Sequence, residues 1–266
     1  MIGGMSGFVS PRYDFKHGAR PTKAYIVASS YRCGSTYLCH RLWETGLMGA
    51  PWEYFNYEND MRAMAFRLST NGVADYLAKL VACRTSRNGV FGAKAHFHHF
   101  EAALKAFPGM LNAVPSVRFI YIRRRDRIAQ AVSMAKSIQT NAWMSLTRPR
   151  RVPLFYSADF IGACVEEINH QTESWARWFA AKGITPFHLE YEDLVTDSES
   201  VIRTILTMMD VVSDIPDNVI LPKVERQANE TNAEWIRRYL ADVRMDDMAQ
   251  PRSKHLATAS LYKDGG

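Results

Sequence analysis

The sequence predicts an α/β fold: a single domain built on a mostly parallel sheet flanked by helices. Three observations carry this expectation. Short apolar runs (Tyr25-Ile26-Val27-Ala28, Val90-Phe91-Gly92-Ala93, Phe119-Ile120-Tyr121-Ile122) are bounded by polar turns and read as buried parallel strands. Other segments place apolar residues three and four apart, the pattern of amphipathic helices. The two kinds alternate along the chain, the order of βαβ units.

The 266-residue chain is 47% hydrophobic and 23% charged, ordinary for a globular domain able to bury a full core. No apolar run is long enough for a membrane-spanning helix, and residues 1–10 lack the pattern of a signal peptide. Cys33, Cys39, Cys83 and Cys164 are scattered and form no C-x-x-C pair, so free thiols in a reducing, cytoplasmic setting are expected. A net charge of +6 suits an anionic ligand, nucleic acid or an anionic surface.

Taken in order, residues 1–22 combine Gly, Pro and basic residues without periodicity and are expected to form a flexible N-terminal arm. The domain is expected over 23–245, with a C-terminal tail over 246–266. Residues 24–29 form the first strand; 36–45 form a helix with Leu38 and Leu42 on one face and Gly46 as its stop. A connection with Gly46, Gly49 and Pro51 follows, carrying Glu53 among Trp52, Tyr54, Phe55 and Tyr57. Residues 59–67 and 73–83 read as helices, and 90–95 as a strand after the Asn88-Gly89 turn. His96, His98 and His99 follow, with His96 and His98 alternating on one strand face. The third strand, 117–122, ends in Arg123-Arg124-Arg125-Asp126. The helix after it carries the stripe Ile128, Ala131, Val132, Ala135, Ile138. A basic loop at 148–153 leads to a long helix at 158–182 capped by Gly183, then a fourth strand at 185–191. Thr196-Asp197-Ser198-Glu199 and Thr231-Asn232-Ala233-Glu234 are capping boxes for two further helices, the second over 235–243.

The segment Ala28-Ser29-Ser30-Tyr31-Arg32-Cys33-Gly34-Ser35-Thr36 joins the first strand to the first helix. A strand, a tight loop and a helix N-terminus make an anion site, because the first N–H groups of a helix lack internal partners and its dipole favours negative charge. Arg32 adds a guanidinium, and Ser35 and Thr36 add hydroxyls. The loop has neither the second glycine nor the lysine of a Walker A motif. It reads as a cradle for a phosphate or phosphosulfate, against the alternative of an ordinary turn with a surface arginine. Arg124, at the end of another strand, is a second candidate anion contact at the same sheet edge.

These stretches, with Pro51-Trp52-Glu53-Tyr54-Phe55, Asn88 through Lys94, Arg124 through Ser133, Trp175 through Phe179, Glu225 through Ala228 and Glu234-Trp235, resemble bacterial sulfotransferases of the trehalose 2-sulfotransferase type. The resemblance runs from about Ala24 to about Tyr239. It implies a P-loop-NTPase-like fold, that of the sulfotransferases that use 3′-phosphoadenosine 5′-phosphosulfate (PAPS). It implies transfer of a sulfonate from PAPS to a hydroxyl of a carbohydrate, glycolipid or related metabolite, without a metal. Arg32, Cys33, Gly34, Ser35 and Thr36 fall on the family's 5′-phosphosulfate loop, Arg32 counting also as catalytic. Arg124 and Ser133 fall on its 3′-phosphate site, and Arg226 and Gln227 on a segment that closes over the nucleotide. Glu53 falls on the glutamate taken as general base. Trp52, Tyr54, Phe55, Lys94, His96 and His98 are expected to line the acceptor side. Cys33 replaces the usual serine, and Ala50 stands where the trehalose enzyme has a second, sugar-contacting glutamate, so trehalose is not the expected acceptor. Homodimers occur in the resembling family; nothing in the sequence tests the state of this chain.

Blander alternatives stand beside these. Glu53 by residue type alone is a solvated loop acid, and apolar neighbours would push its pKa up while Arg32 opposes. Arg123 and Arg125 are ambiguous between ligand site and charged surface. His96 and His98 lack a third partner at metal spacing. Trp175 and Trp178 read as core. Cys33, near a helix N-terminus and an arginine, is expected to be a passive loop residue despite a setting that can lower a thiol pKa. A P-loop-like kinase and a nucleic-acid-binding protein are the competing functions. The missing lysine argues against the first, and aromatics confined to apolar helix faces against the second.

Overall fold

The apolar runs assemble as a four-stranded parallel sheet in a computed structural model that describes residues 7–16, 20–112, 117–143, 152–211 and 230–249. The strands are β1 (Lys23–Ser29), β2 (Val90–His96), β3 (Val117–Arg123) and β4 (Phe187–Glu190), in the order β2-β1-β3-β4. β1 is central, pairing Ile26 with Ala93 on one side and with Phe119 on the other. The chain leaves β1 for β2 on one flank and returns to β3 on the other. The strand order therefore reverses beside β1, and the carboxyl ends of all three open on one crevice, the usual ligand position of open α/β sheets. In register, Ser29 lies beside both His96 and Ile122 at that edge.

Side chains of β1 alternate between two cores, as strand geometry requires. Tyr25 and Val27 pack with Leu38 and Leu42 of helix α1 (Ser35–Glu44) and with Ile202 and Ile205 of α8 (Ser198–Met208). Ile26 and Ala28 face Phe100 of α4 (Phe97–Ala106) and Trp175 and Phe179 of α6 (Ala158–Lys182). Both faces of the sheet are thus covered, which is why its central strands read as continuous apolar runs. Helices α2 (Asp60–Arg67) and α3 (Val73–Arg84) close one end over Trp52, Tyr54 and Phe91. At the other end, α5 (Arg127–Thr140) packs its Ala131-Val132-Ala135 stripe against α6 and against Trp235 and Tyr239 of α9 (Glu230–Ala249). None of the described helices is long and apolar enough to cross a membrane.

Several expectations need correction. Residues 7–16 are not a loose arm: two 3-10 turns, Gly7–Val9 and Pro11–Tyr13, bury Phe8, Val9 and Tyr13. Phe8 stacks on Trp52 with ring centroids 3.8 Å apart. Asp14 pairs with Arg67 at 2.7 Å and with the wholly buried Arg84 at 3.2 Å. Three scattered apolar residues leave no periodic signature, and apart from the stacking of Phe8 on Tyr13 their ring partners, His40, Trp43 and Trp52, are distant in sequence. Helix α9 extends to Ala249, beyond the expected start of the tail. Helix α4 begins straight after His96, so His98 lies in its first turn and not on a strand. β4 stops at Glu190, and Tyr191 opens the short α7 (Tyr191–Thr196). The basic run 148–151 lies outside the described residues.

If residues 7–16 belong to the core, truncating Phe8 removes the whole ring behind Trp52. Phe8→Ala should lower unfolding stability by about 3 kcal/mol, as for buried Phe→Ala changes, read from the midpoint of denaturant unfolding. A loose arm would leave the midpoint unchanged.

Candidate active site

The β1–α1 loop turns through two left-handed residues, Arg32 (φ 58°) and Gly34 (φ 88°). At Gly34 the glycine is required twice over. A Cβ there would stand 2.3 Å from the Tyr191 ring, and a positive φ is costly for other residues. The turn delivers the first N–H groups of α1 to the sheet edge, and its N-cap, Gly34, provides no side-chain cap. Ser35 is buried and Thr36 half-buried on the first turn. Cys33 is wholly buried, and burial pushes its thiol pKa up despite hydrogen bonding from Ser35. Burial and a raised pKa both favour the protonated thiol, in keeping with a passive loop residue.

The cation at this helix N-terminus comes from the neighbouring strand. Lys94, 2% exposed, reaches from β2 so that Nζ lies 3.1 Å from Thr36 Oγ1 and 2.6 Å from Glu53 Oε1. It also stands 4.9 Å over the Trp52 ring. Burial alone would strip its proton; the Glu53 carboxylate reverses that, and the net displacement is upward.

Glu53 is held on the loop between α1 and α2, with Asn56 Nδ2 donating at 3.3 Å and His96 Nε2 near it at 3.7 Å, beyond hydrogen-bond distance. Burial pushes its carboxyl up, but Lys94 and then His96 push it down further, and it ends well below the usual carboxylate range. The upward pressure expected from apolar neighbours is present and is outweighed, by Lys94 and not by Arg32.

Arg32 faces the other way. Its Nε donates to Ser133 Oγ of α5 at 3.0 Å, and Nη1 donates to the Trp143 carbonyl. Burial, and then the Arg124 guanidinium, lower its pKa. Two guanidiniums near each other and partly out of water leave a need for an anion. Arg124 lies 5.1 Å over the Tyr191 ring, and its buried Nε has no hydrogen-bond partner among the described residues. Its sequence neighbours differ: Arg123 pairs with Glu190 at 2.7 Å, and Arg125 pairs with Asp193. Two members of the arginine run thus have carboxylate partners from β4 and α7, although the buried Nε of Arg123, like that of Arg124, has no hydrogen-bond partner among the described residues.

The histidines stand together behind Glu53. His96 Nδ1 lies 3.1 Å from Ser29 Oγ, and burial lowers its pKa to about 4. Phe97 N–H donates to Gln171 Oε1, which orients the amide so that its nitrogen donates to Glu167 and to His98 Nδ1. His98 Nε2 is then the N–H donor to the Tyr31 hydroxyl, 3.1 Å away. Burial lowers His98 as well, and lowers His99 to about 3. At neutral pH all three are uncharged.

Trp52, Tyr54 and Phe55 are buried, and their rings pack into the core between β2, α2 and α3. The Tyr54 hydroxyl donates to the Ala50 carbonyl, and Ala50 itself is buried in the same cluster. Neither the three rings nor residue 50 presents the open face expected from the sequence. Arg226 and Gln227 lie outside the described residues. Among the described residues no group of three or more His, Cys, Asp or Glu is placed to hold a metal ion. Sequence reasoning filed Lys94 with the acceptor side; a lysine inside an otherwise apolar strand was the signal that it belongs at the loop.

A parallel sheet with a glycine turn after its first strand and cations from neighbouring strand ends places the chain among α/β proteins with a crevice suited to an anionic ligand. The sequence model of the Stf0 sulphotransferase family matches residues 24–242, and the chain belongs to that family. It is similar to "Trehalose 2-sulfotransferase" of Mycobacterium tuberculosis (strain ATCC 35801 / TMC 107 / Erdman), 27% identical over 84% of this chain and 97% of that protein. It is equally similar to "Trehalose 2-sulfotransferase" of Mycolicibacterium smegmatis, 27% identical over 85% of this chain and 97% of that one. Among solved structures, "Sulfotransferase Domain from the Curacin Biosynthetic Pathway" overlaps at a TM-score of 0.44, with 15% identity, over 81% of this chain and 83% of that one.

The histidines set an acid limit on the fold. His96 and His99 have folded pKa values below the ordinary 6.5, so below that pH the unfolded chain binds protons that the folded chain refuses. Their contribution is intact above about pH 6.5 and is lost as pH falls toward 4. The slope is about 1.4 kcal/mol per pH unit for each histidine over that window. Thermal melts from pH 7 to pH 4.5 should show this fall, and His99→Phe should make it shallower.

Proposed function

We propose that this enzyme transfers a sulfonate group from PAPS to a hydroxyl of a carbohydrate, glycolipid or related metabolite, with Glu53 as the general base. The observation that carries the proposal is the hydrogen-bonded set Thr36–Lys94–Glu53. It joins the loop at the α1 N-terminus, a buried cation and a carboxylate at one sheet edge.

The residues present fit the donor. PAPS carries anionic groups at two ends, and the crevice offers two cationic sets. One is the α1 N-terminus with Ser35, Thr36 and Lys94; the other is Arg124 with its unpaired buried Nε, beside Ser133 and Arg32. In this reading the first set takes the 5′-phosphosulfate and the second the 3′-phosphate. Arg32 bridges them, with its backbone in the loop and its guanidinium against Ser133. When bound, the donor supplies an activated sulfonate whose transfer resembles in-line phosphoryl transfer, a reaction governed by positioning and charge stabilisation. A sulfonate carries less charge than a γ-phosphate, so fixed cations serve in place of a metal. Glu53 accepts the proton of the attacking hydroxyl as the new S–O bond forms and the bond from sulfur to the 5′-phosphate oxygen breaks, leaving PAP; Asn56 fixes the direction of the carboxylate, with His96 beside it. The names of the curated relatives favour a carbohydrate acceptor. A cytoplasmic location belongs to the same reading.

The donor site is tested by calorimetry with 3′-phosphoadenosine 5′-phosphate (PAP), ATP and the PAP analogue lacking the 3′-phosphate. PAP should bind best. Arg124→Ala should weaken PAP by about 1.5–3 kcal/mol, roughly ten- to a hundredfold, the worth of a charge-assisted contact. Equal affinity for PAP and the analogue would remove the 3′-phosphate assignment.

The base is tested by single-turnover transfer under saturating donor. Glu53→Gln should fold, bind PAP at least as tightly as the parental chain and lose about 10²–10⁴-fold in rate, the usual range for a positioned base. His96→Ala and His98→Ala should lose less, because both imidazoles are held neutral and weakly basic by burial. Near-parental turnover in Glu53→Gln would move the base elsewhere.

A further inference from the structure

Lys94 and Glu53 as they stand pose a chemical problem. A carboxylate 2.6 Å from a buried ammonium is a poor proton acceptor, since protonating it leaves a buried cation unpaired. Yet the same ammonium touches Thr36 Oγ1 on the first turn of α1, where an anionic ligand gains from the helix dipole and the loop N–H groups. One ammonium therefore touches two positions, one filled by the Glu53 carboxylate and one at the Thr36 hydroxyl of the loop.

We propose that Lys94 is a donor-operated switch on the basicity of Glu53. Before the donor binds, Lys94 holds Glu53 as a salt-bridged, weakly basic carboxylate. An anion at the α1 N-terminus draws the ammonium toward Thr36, and Glu53 is left to Asn56 and His96 as an active proton acceptor. The consequence is an order of events: the base is switched on only when the 5′ anion of the nucleotide is in place at the loop. This rests on the donor reading above and assigns Lys94 to the positioning of charge, not to proton transfer.

The surroundings leave Lys94 as the group that sets the charge on Glu53. From β2, His96 faces the carboxylate; from α4, His99 does; both stay neutral above about pH 5. On the other side the thiols of Cys33 and Cys39 face Lys94, and both are held protonated by burial, Cys39 with its pKa pushed up to about 12. The Trp52 ring backs the ammonium and carries no charge. With its ammonium over one aromatic face and within reach of both partners, a flexible lysine can shift between them without unfolding the strand.

The test is proton linkage, which needs no turnover. PAP binding to the full chain is measured calorimetrically near pH 5.5 in two buffers of different ionisation enthalpy. The comparison gives the protons taken up per PAP bound. If PAP draws Lys94 away, the Glu53 pKa rises on binding, so the bound form takes up protons that the free form refuses. The parental chain should then take up a larger fraction of a proton than Glu53→Gln, the excess growing as pH falls. Protons moved by PAP's own phosphates are common to both and cancel. An infrared difference spectrum of the parental chain with and without PAP is the second readout, and a shifted carboxylate stretch is expected. Equal proton uptake in the two chains, or an unshifted spectrum, overturns the switch while leaving PAP binding intact. Failure of PAP to bind the parental chain overturns the donor reading and the switch together.

Discussion

Lys94 lies on a strand whose other residues are buried, and its ammonium has to find partners inside the protein. That requirement ties together parts of the chain that nothing else would bring into register. Glu53 must sit on the loop after α1, Thr36 must open α1 on the side of β2, and Trp52 must turn its face to the cation. The parallel pairing of β1 with β2, Val27 beside Lys94, sets the depth at which the ammonium emerges. A one-residue slip would put Ala93 or Ala95 there and send the charge into the opposite core, so strand register and site geometry are one constraint.

The second cationic set follows a different logic. Arg123, Arg124 and Arg125 are consecutive, yet β4 and α7 supply carboxylates to the first and third alone. Glu190 ends the edge strand and Asp193 follows in the first helical turn after it. The short fourth strand and the turn after it therefore decide which arginine is left without a carboxylate partner among the described residues. Tyr191, between those acids, closes on Gly34 and lies under Arg124, so one ring contacts both the β1–α1 loop and the arginine run.

Much of this was legible in the sequence for physical reasons. Strands buried on both faces must be apolar, and helices facing a sheet must carry a stripe, so the α/β order and the long 158–182 helix could be read directly. The loop was legible because a strand, a glycine turn and a helix N-terminus form a local arrangement. What escaped depends on distant partners. Nothing near Phe8 says that it will meet Trp52, and nothing near Trp52 and Tyr54 says that their faces are already covered. The direction of Arg32 was hidden because its partner, Ser133, is a hundred residues away. Helix α4 was missed because its first turn, Phe97-His98-His99, looks like the continuation of a strand.

The sequence separations involved have a bearing on assembly. Asp14 waits for Arg67 and Arg84, Phe8 for Trp52, and Trp52 for Lys94. Each of these closes a long loop of chain, and such closures come late in folding because their entropy cost precedes their reward. The local βα turn can form early, while the wall behind Glu53 waits for residues 7–16 to return. A nascent or partly unfolded chain would then hold the β1–α1 loop before it holds an ordered Glu53. Lesions in the N-terminal turns would be expected to separate ligand affinity from turnover.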